Sequence, residues 1–102
     1  LGNPHDTAGF ALLAYILAEK LNIPVGTLTV SISNAHIYDI HVDQAKIICN
    51  RVIEHEAIQF TCPKDAFDRS LALDETLVQD IFSQLKENYI PQESVGRMAI
   101  VL

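Results

Sequence analysis

Residues Ser31 to His41 (SISNAHIYDIH) carry the two side chains best placed to do chemistry. His36 and Tyr38 are two positions apart, so on an extended segment the imidazole and the phenol point to the same side. Each group both donates and accepts hydrogen bonds. Together they make a compact clamp for a sugar hydroxyl or a phosphate. The competing reading is an ordinary surface His and Tyr at a strand end.

Two other chemistries are weaker. His36, His41, Cys49, His55 and Cys62 supply metal-ligating atoms, but His36 and His41 stand at no established ligand spacing, and no CxxC or HExxH accompanies them. No metal site is expected. For nucleophilic catalysis, Cys49 falls on the apolar stripe of an expected helix, which makes it inert packing. Cys62 precedes Pro63 at a strand end. Neither thiol stands directly beside a cation in sequence that would lower its pKa. The pair reads as reduced thiols of a cytoplasmic protein.

The elements that must position His36 and Tyr38 are legible in outline. Ala8 to Leu21 is rich in helix formers, with Asp6 and Thr7 as N-cap candidates, and Asn22 to Gly26 ends the helix with Pro24 just beyond its last turn. Its apolar residues cover nearly the whole circumference, as in a helix buried on most sides. A chain of 102 residues can hardly surround such a helix, so further chain, a second subunit, or both are expected to cover it. Thr27 to Ser33 alternates Leu28, Val30 and Ile32 with hydroxyl residues, a half-buried strand pattern whose uncharged polar face suits a second sheet or a pocket. A helix is expected over Val42 to Ile53, with Val42, Ala45, Ile48, Cys49 and Val52 on one stripe. Another strand is expected over residues 56–62. Asp74 caps a helix reaching about Asn88, with Leu77, Val78, Ile81, Phe82 and Leu85 on one face. The tail from Val95 to Leu102 is apolar apart from Arg97, which suits a docked segment better than a free one.

Composition narrows the partners. Hydrophobic residues make up 49% of the chain and charged ones 20%, which excludes a disordered chain. The formal net charge of −6 repels a phosphate backbone, so no nucleic acid partner is expected, whereas one pocket can still hold a small anionic nucleotide. No apolar run has the length and flanks of a membrane span, so no membrane partner is expected. The N-terminus has neither the basic start of a signal peptide nor an initiator Met, consistent with a fragment or a processed product.

The run from Asp6 through Tyr38 resembles the thymidylate synthase family. That family has a buried helix with an ALL core, a hydrophobic-x-x-G break, an apolar strand and an A-H-I-Y turn. Here these read Ala11-Leu12-Leu13, Ile23-Pro24-Val25-Gly26, Leu28 to Ser33, and Ala35-His36-Ile37-Tyr38, without a gap. Asn88-Tyr89-Ile90-Pro91 and Arg97-Met98-Ala99-Ile100 resemble the family's C-terminal region, while residues 50–88 match poorly.

The resemblance implies an α+β fold in which residues 1–102 form the C-terminal portion of the domain, with a buried central helix packed on a mixed sheet. It implies a transferase in pyrimidine nucleotide biosynthesis. A cysteine thiolate adds to C6 of a pyrimidine nucleotide monophosphate, and 5,10-methylenetetrahydrofolate donates a carbon to C5. His36 and Tyr38 would bind the ribose hydroxyl, Leu1 and Gly2 would lie beside the folate, and the tail ending at Leu102 would close over the ligands. A homodimer formed through the sheet containing Thr27 to Ser33 would cover the uncharged strand face and the over-apolar helix.

Three departures from the pattern matter. Cys49 and Cys62 do not align with the family nucleophile, which lies upstream together with the phosphate-binding arginines, so the chain alone is expected to be inactive. The helix over Asp74 to Asn88 is unlike the bacterial enzyme and points to an archaeal or phage-like branch. Asp6 stands where thymidylate synthases place an asparagine that reads the pyrimidine edge. A carboxylate faces uracil O4 with repulsion but accepts from the 4-amino group of cytosine. The related cytidylate hydroxymethylases carry Asp at this place, so Asp6 slightly favours dCMP or CMP hydroxymethylation over dUMP methylation. The plain alternative for Asp6 is a helix N-cap. For the whole chain the alternatives are a non-catalytic nucleotide-binding or dimerisation module that keeps the fold, or a small interaction domain with an accidental likeness.

Overall fold

The computed structural model describes residues 2–99. They form four α-helices and one 3-10 helix: α1 (Asn3–Leu21), the 3-10 turn Asp39–His41, α2 (Val42–Cys49), α3 (Ala66–Leu71) and α4 (Glu75–Asn88). The chain divides into two compact units. One comprises residues 31–56 and 90–99, and the other residues 2–30 and 57–89.

The expected α+β fold with a mixed sheet is corrected: no strand forms among the described residues. Residues 27–33 and 56–62 run without regular structure. Alternation marks a backbone suited to pairing, but a strand exists only where a neighbour supplies ladder hydrogen bonds. Neither stretch makes backbone–backbone bonds to another segment among the described residues. Leu28, Val30 and Ile32 accordingly remain exposed.

In the unit containing α1, the helix begins at Asn3, five residues before the expected start. Pro4 in the first turn is pre-set for helical φ and lacks an N–H that would have no partner there. Gly2 is the N-cap, with no side-chain cap bond, so Asp6 is a first-turn residue rather than the cap. Asn22 ends the helix at φ 53, and its N–H bonds back to Glu19 O at 3.1 Å. α3 packs against α1: Lys20 Nζ meets Asp68 at 2.6 Å, and Asp65 N–H donates to Glu19 Oε1 at 3.1 Å. Tyr15 meets Phe60 edge to face at 5.2 Å.

Arg69 fastens α3 to α4. Its guanidinium donates to Asp74 Oδ2 at 2.8 Å, Thr76 Oγ1 at 2.8 Å and Asp80 Oδ2 at 2.7 Å. Asp74 N-caps α4 by accepting from Thr76 N–H at 2.9 Å. The Thr76 hydroxyl, then the Arg69 guanidinium, hold the Asp74 carboxyl down at about 2.

The other unit is built from the 3-10 turn, α2 and the tail. α2 stops at Cys49, short of the expected Ile53, and leaves Val52 and Ile53 exposed. Ala45 is its buried residue, and Cys49 is exposed rather than packed. The tail is tied down: Gln92 Nε2 donates to Val52 O at 2.7 Å, Arg51 donates to Glu93 O, and His41 Nε2 donates to Ala99 O at 2.9 Å.

The buried apolar side chains among the described residues are Ala18, Ala45, Ala66 and Leu77. Full burial of a Leu stabilises by about 1.5–3 kcal/mol, and an Ala by much less. Phe10, Leu13, Leu17 and Leu21 form an exposed stripe on α1, whereas Ala11, Leu12, Ala14, Tyr15 and Ile16 are half-buried and Ala18 is buried, so one face of the helix is open.

Candidate functional site

Asn34 to Tyr38 follow the irregular segment that ends at residue 33 and lead directly into the 3-10 turn at Asp39. Tyr38 is the N-cap residue of that turn with φ −66 and ψ 141, an extended conformation. His36 Nδ1 lies 3.0 Å from the carbonyl oxygen of Asn34. A carbonyl only accepts, so Nδ1 carries the proton and, in the neutral ring, Nε2 is the acceptor. The His36 and Tyr38 rings meet edge to face, with centroids 5.3 Å apart and planes at 77°. Both side chains are exposed. The structure therefore brings the expected pair together with fixed roles: His36 Nε2 accepts a hydrogen bond and the Tyr38 hydroxyl can donate one. A sugar hydroxyl both donates and accepts, so one such group can satisfy the two at once.

His41 joins this cluster. Its backbone N–H donates to Tyr38 O at 2.8 Å, and its ring lies edge-on to Tyr38 at 5.7 Å. Sequence spacing named His41 only as a loose metal-ligand candidate. Its bond to Ala99, a residue 58 positions away, has no local sequence signal. Among the described residues no three of His, Cys, Asp and Glu converge as metal ligands.

Asp6 belongs to the other unit. It is exposed in the first turn of α1 and borders an open recess of about 420 Å³ walled by His5, Gly9, Phe10 and Leu13. Its carboxylate is the anionic group among these lining residues, which also include the His5 imidazole. A second recess of about 360 Å³ is lined by residues that include Leu12, Tyr15, Ile58, Phe60 and Leu85. Gly2 is exposed, and the position a Cβ would take there meets no atom within 4 Å. Leu1 and Leu102 lie outside the described residues. Cys62 is half-buried, and burial together with the nearby Glu19 carboxylate pushes its thiol pKa up, the opposite of an activated nucleophile. Among the described residues no helix is long and apolar enough to cross a membrane.

No solved structure matches this one significantly. The sequence does have relatives. It is 37% identical to the thymidylate synthase of Mycoplasma pneumoniae over 51 residues, which is 50% of this chain and 18% of that protein. It is 43% identical to the thymidylate synthase of varicella-zoster virus (strain Dumas) over 47 residues, 46% of this chain and 16% of that one. It is also 43% identical to the thymidylate synthase of Enterobacteria phage T4 over 51 residues, 50% and 18% respectively. The matches thus span less than a fifth of these curated relatives. The family model described as thymidylate synthase matches residues 1–99, nearly the whole chain, and with it the His36–Tyr38 turn and the tail through Ala99; the chain belongs to the thymidylate synthase family.

Proposed function

We propose that this chain supplies part of the pyrimidine-nucleotide pocket of an enzyme that transfers a one-carbon unit from 5,10-methylenetetrahydrofolate to C5 of a nucleotide monophosphate. The observation that carries the reading is the His36–Tyr38 pair, in which the Asn34 carbonyl holds His36 Nδ1–H and leaves Nε2 to accept from a ribose hydroxyl. The nucleophilic cysteine comes from outside this chain, a view supported by the raised Cys62 thiol. The chain alone is therefore inactive.

Asp6 sets the base. Freed from the capping role and bordering a recess, its carboxylate accepts from the 4-amino group of cytosine and repels uracil O4. This favours dCMP or CMP over dUMP and a hydroxymethyl over a methyl product. By the resemblance, Gly2, Leu1 and Leu102 lie beside the folate; Gly2 is exposed, with no atom within 4 Å of where a Cβ would sit, while Leu1 and Leu102 lie outside the described residues. When bound, the folate supplies the one-carbon unit. The exposed apolar residues Leu28, Val30 and Ile32 support a homodimer, and the reduced cysteines suit a cytoplasmic setting.

A second reading, a non-catalytic nucleotide-binding or dimerisation module, draws on the same raised thiol. Giving the full-length protein methylenetetrahydrofolate with dCMP or dUMP, and reading products by mass spectrometry, separates the two. A 5-hydroxymethylated cytidine nucleotide supports the enzyme as stated, a 5-methylated uridine nucleotide overturns the role of Asp6, and no product with either nucleotide favours the module.

A further inference from the structure

We propose that the exposed face of α4 pairs antiparallel with α4 of a second copy of this chain, a contact additional to the segment Leu28 to Ile32. Val78, Phe82 and Leu85 follow one another at four and three positions on that helix and are 63%, 59% and 37% exposed. This is the spacing of a coiled-coil seam along one side of a helix. Tyr89, four positions further on at the C-cap, continues the line and is 58% exposed. The stripe lies beside the face that α4 uses within its own unit. That inner face carries Leu77, which is buried, with Ile81 and Gln84 half-buried. Leu85, which also lines the recess beside Tyr15 and Phe60, stands at the border of the two faces.

Charge identifies the occupant. The chain carries a net charge of −6, so two copies repel unless their contact keeps carboxylates out of it. On α4 Asp80 is turned to Arg69 of α3 at 2.7 Å, and Glu87, seven residues on, falls on the same side, away from the stripe. The stripe is flanked instead by Glu75 in the first turn and Lys86 in the last, both exposed and on the same side of it, with Gln79 between them. An antiparallel pair of like copies brings each Glu75 to the other copy's Lys86, and two-fold symmetry makes the contact twice. The same register sets Val78 of one copy between Phe82 and Leu85 of the other. Tyr89 then arrives at the N-terminal end of the opposite helix, where Leu73, just before the N-cap, is 86% exposed. A basic partner would call for acidic flanks, whereas one acid and one base at opposite ends suit an inverted copy of the same helix. With 14 residues α4 is about 21 Å long. A seam that short buries less than the roughly 800 Å² per partner of a standard interface, so pairing is expected at about ten micromolar or above.

Sedimentation velocity on the full-length protein, from about 1 to about 200 micromolar, reads the pairing. The unaltered protein is expected to form a larger species over that range. Phe82→Glu weakens the association at least about tenfold, the scale of a lost central aromatic. Glu75→Lys and Lys86→Glu each weaken it about fivefold, since each sets like charges together twice. The Glu75→Lys, Lys86→Glu double variant restores it to within about twofold. Both changes oppose the dipole of α4, so a role confined to the helix itself makes the double variant worse than either single one. A double variant that associates no better than the singles therefore overturns the pairing. So does a Phe82→Glu protein with a lower melting temperature and intact association, the sign that another part of the same chain covers α4. A sedimentation coefficient that stays constant with concentration in the unaltered protein overturns it as well. Should Phe82→Glu fail to fold, the charge variants carry the test by themselves.

Discussion

Tyr38 meets His36 edge to face, with ring centroids 5.3 Å apart and planes at 77°. Edge-to-face pairs set the positive ring edge of one group against the π-cloud of the other, and among the described residues neither the Tyr38 hydroxyl nor His36 Nε2 makes a hydrogen bond. The two atoms that a ribose hydroxyl needs are thus left for a ligand, and the partner hydroxyl is the first thing to test. A dideoxycytidine monophosphate is expected to bind about three- to tenfold more weakly than dCMP, the range of a neutral hydrogen bond. The difference should disappear in the Tyr38→Phe, His36→Ala double variant. Competitive calorimetry provides the comparison, and a dideoxy nucleotide that binds as well as dCMP contradicts the clamp.

Asp6→Asn replaces an acceptor-only group with an amide that accepts from uracil N3–H and donates to O4. The ratio of dCMP to dUMP affinity is expected to fall by roughly tenfold, the scale of one charge-assisted hydrogen bond exchanged for a mismatch. Because Gly2 rather than Asp6 caps α1, thermal stability should change little. An unchanged ratio sets Asp6 aside as a base-reading residue.

The Asp74 carboxyl is held down at about 2 by Thr76 and Arg69, against an ordinary value of 3.8. Its folded pKa is depressed, so its contribution is complete above the unfolded value and is lost as pH falls through the folded one. Helicity followed by circular dichroism should therefore show a loss between about pH 4 and pH 2 to which Asp74 contributes. Asp74→Asn keeps a capping acceptor but cannot titrate. It should flatten that part of the acid profile, and a profile identical to the parent's sets aside the Arg69–Asp74–Thr76 junction as its source.

Val30 is exposed within a segment whose neighbours Leu28 and Ile32 are exposed as well. In a homodimer that covers this segment, Val30→Glu places a charge in the interface of an already acidic chain. Sedimentation velocity is expected to shift from dimer toward monomer. A dimer of undiminished stability excludes this segment as the interface.

What the residues disclose depends on how local the determining physics is. α4 is legible because its signals are local: Asp74 caps it, and Leu77, Val78, Ile81, Phe82 and Leu85 recur at helical spacing. The juxtaposition of the His36 and Tyr38 rings is legible because side chains two positions apart on an extended segment point to the same side. The start of α1 is not, since Asp6 and Thr7 mimic caps while the true signal is Pro4 following Gly2. α3 is missed because six residues carry too little periodicity, and it is entered through Asp65 and left through Leu73, both in left-handed conformations, which at Leu73 the residue type does not announce. The sheet fails for the opposite reason. Alternation over Leu28, Val30 and Ile32 describes what a strand would look like, whereas pairing depends on a partner that those residues do not specify. The His41–Ala99 bond is of the same kind, set by the chain's long-range path.

The most direct measurement is calorimetric titration of dCMP into the full-length protein and into its His36→Ala, Tyr38→Phe double variant. With both hydrogen-bonding groups of the clamp removed, affinity is expected to fall by about tenfold to a hundredfold while the folded state, read by circular dichroism, is retained. Equal affinity in the two proteins contradicts the assignment of this turn as part of a pyrimidine-nucleotide pocket.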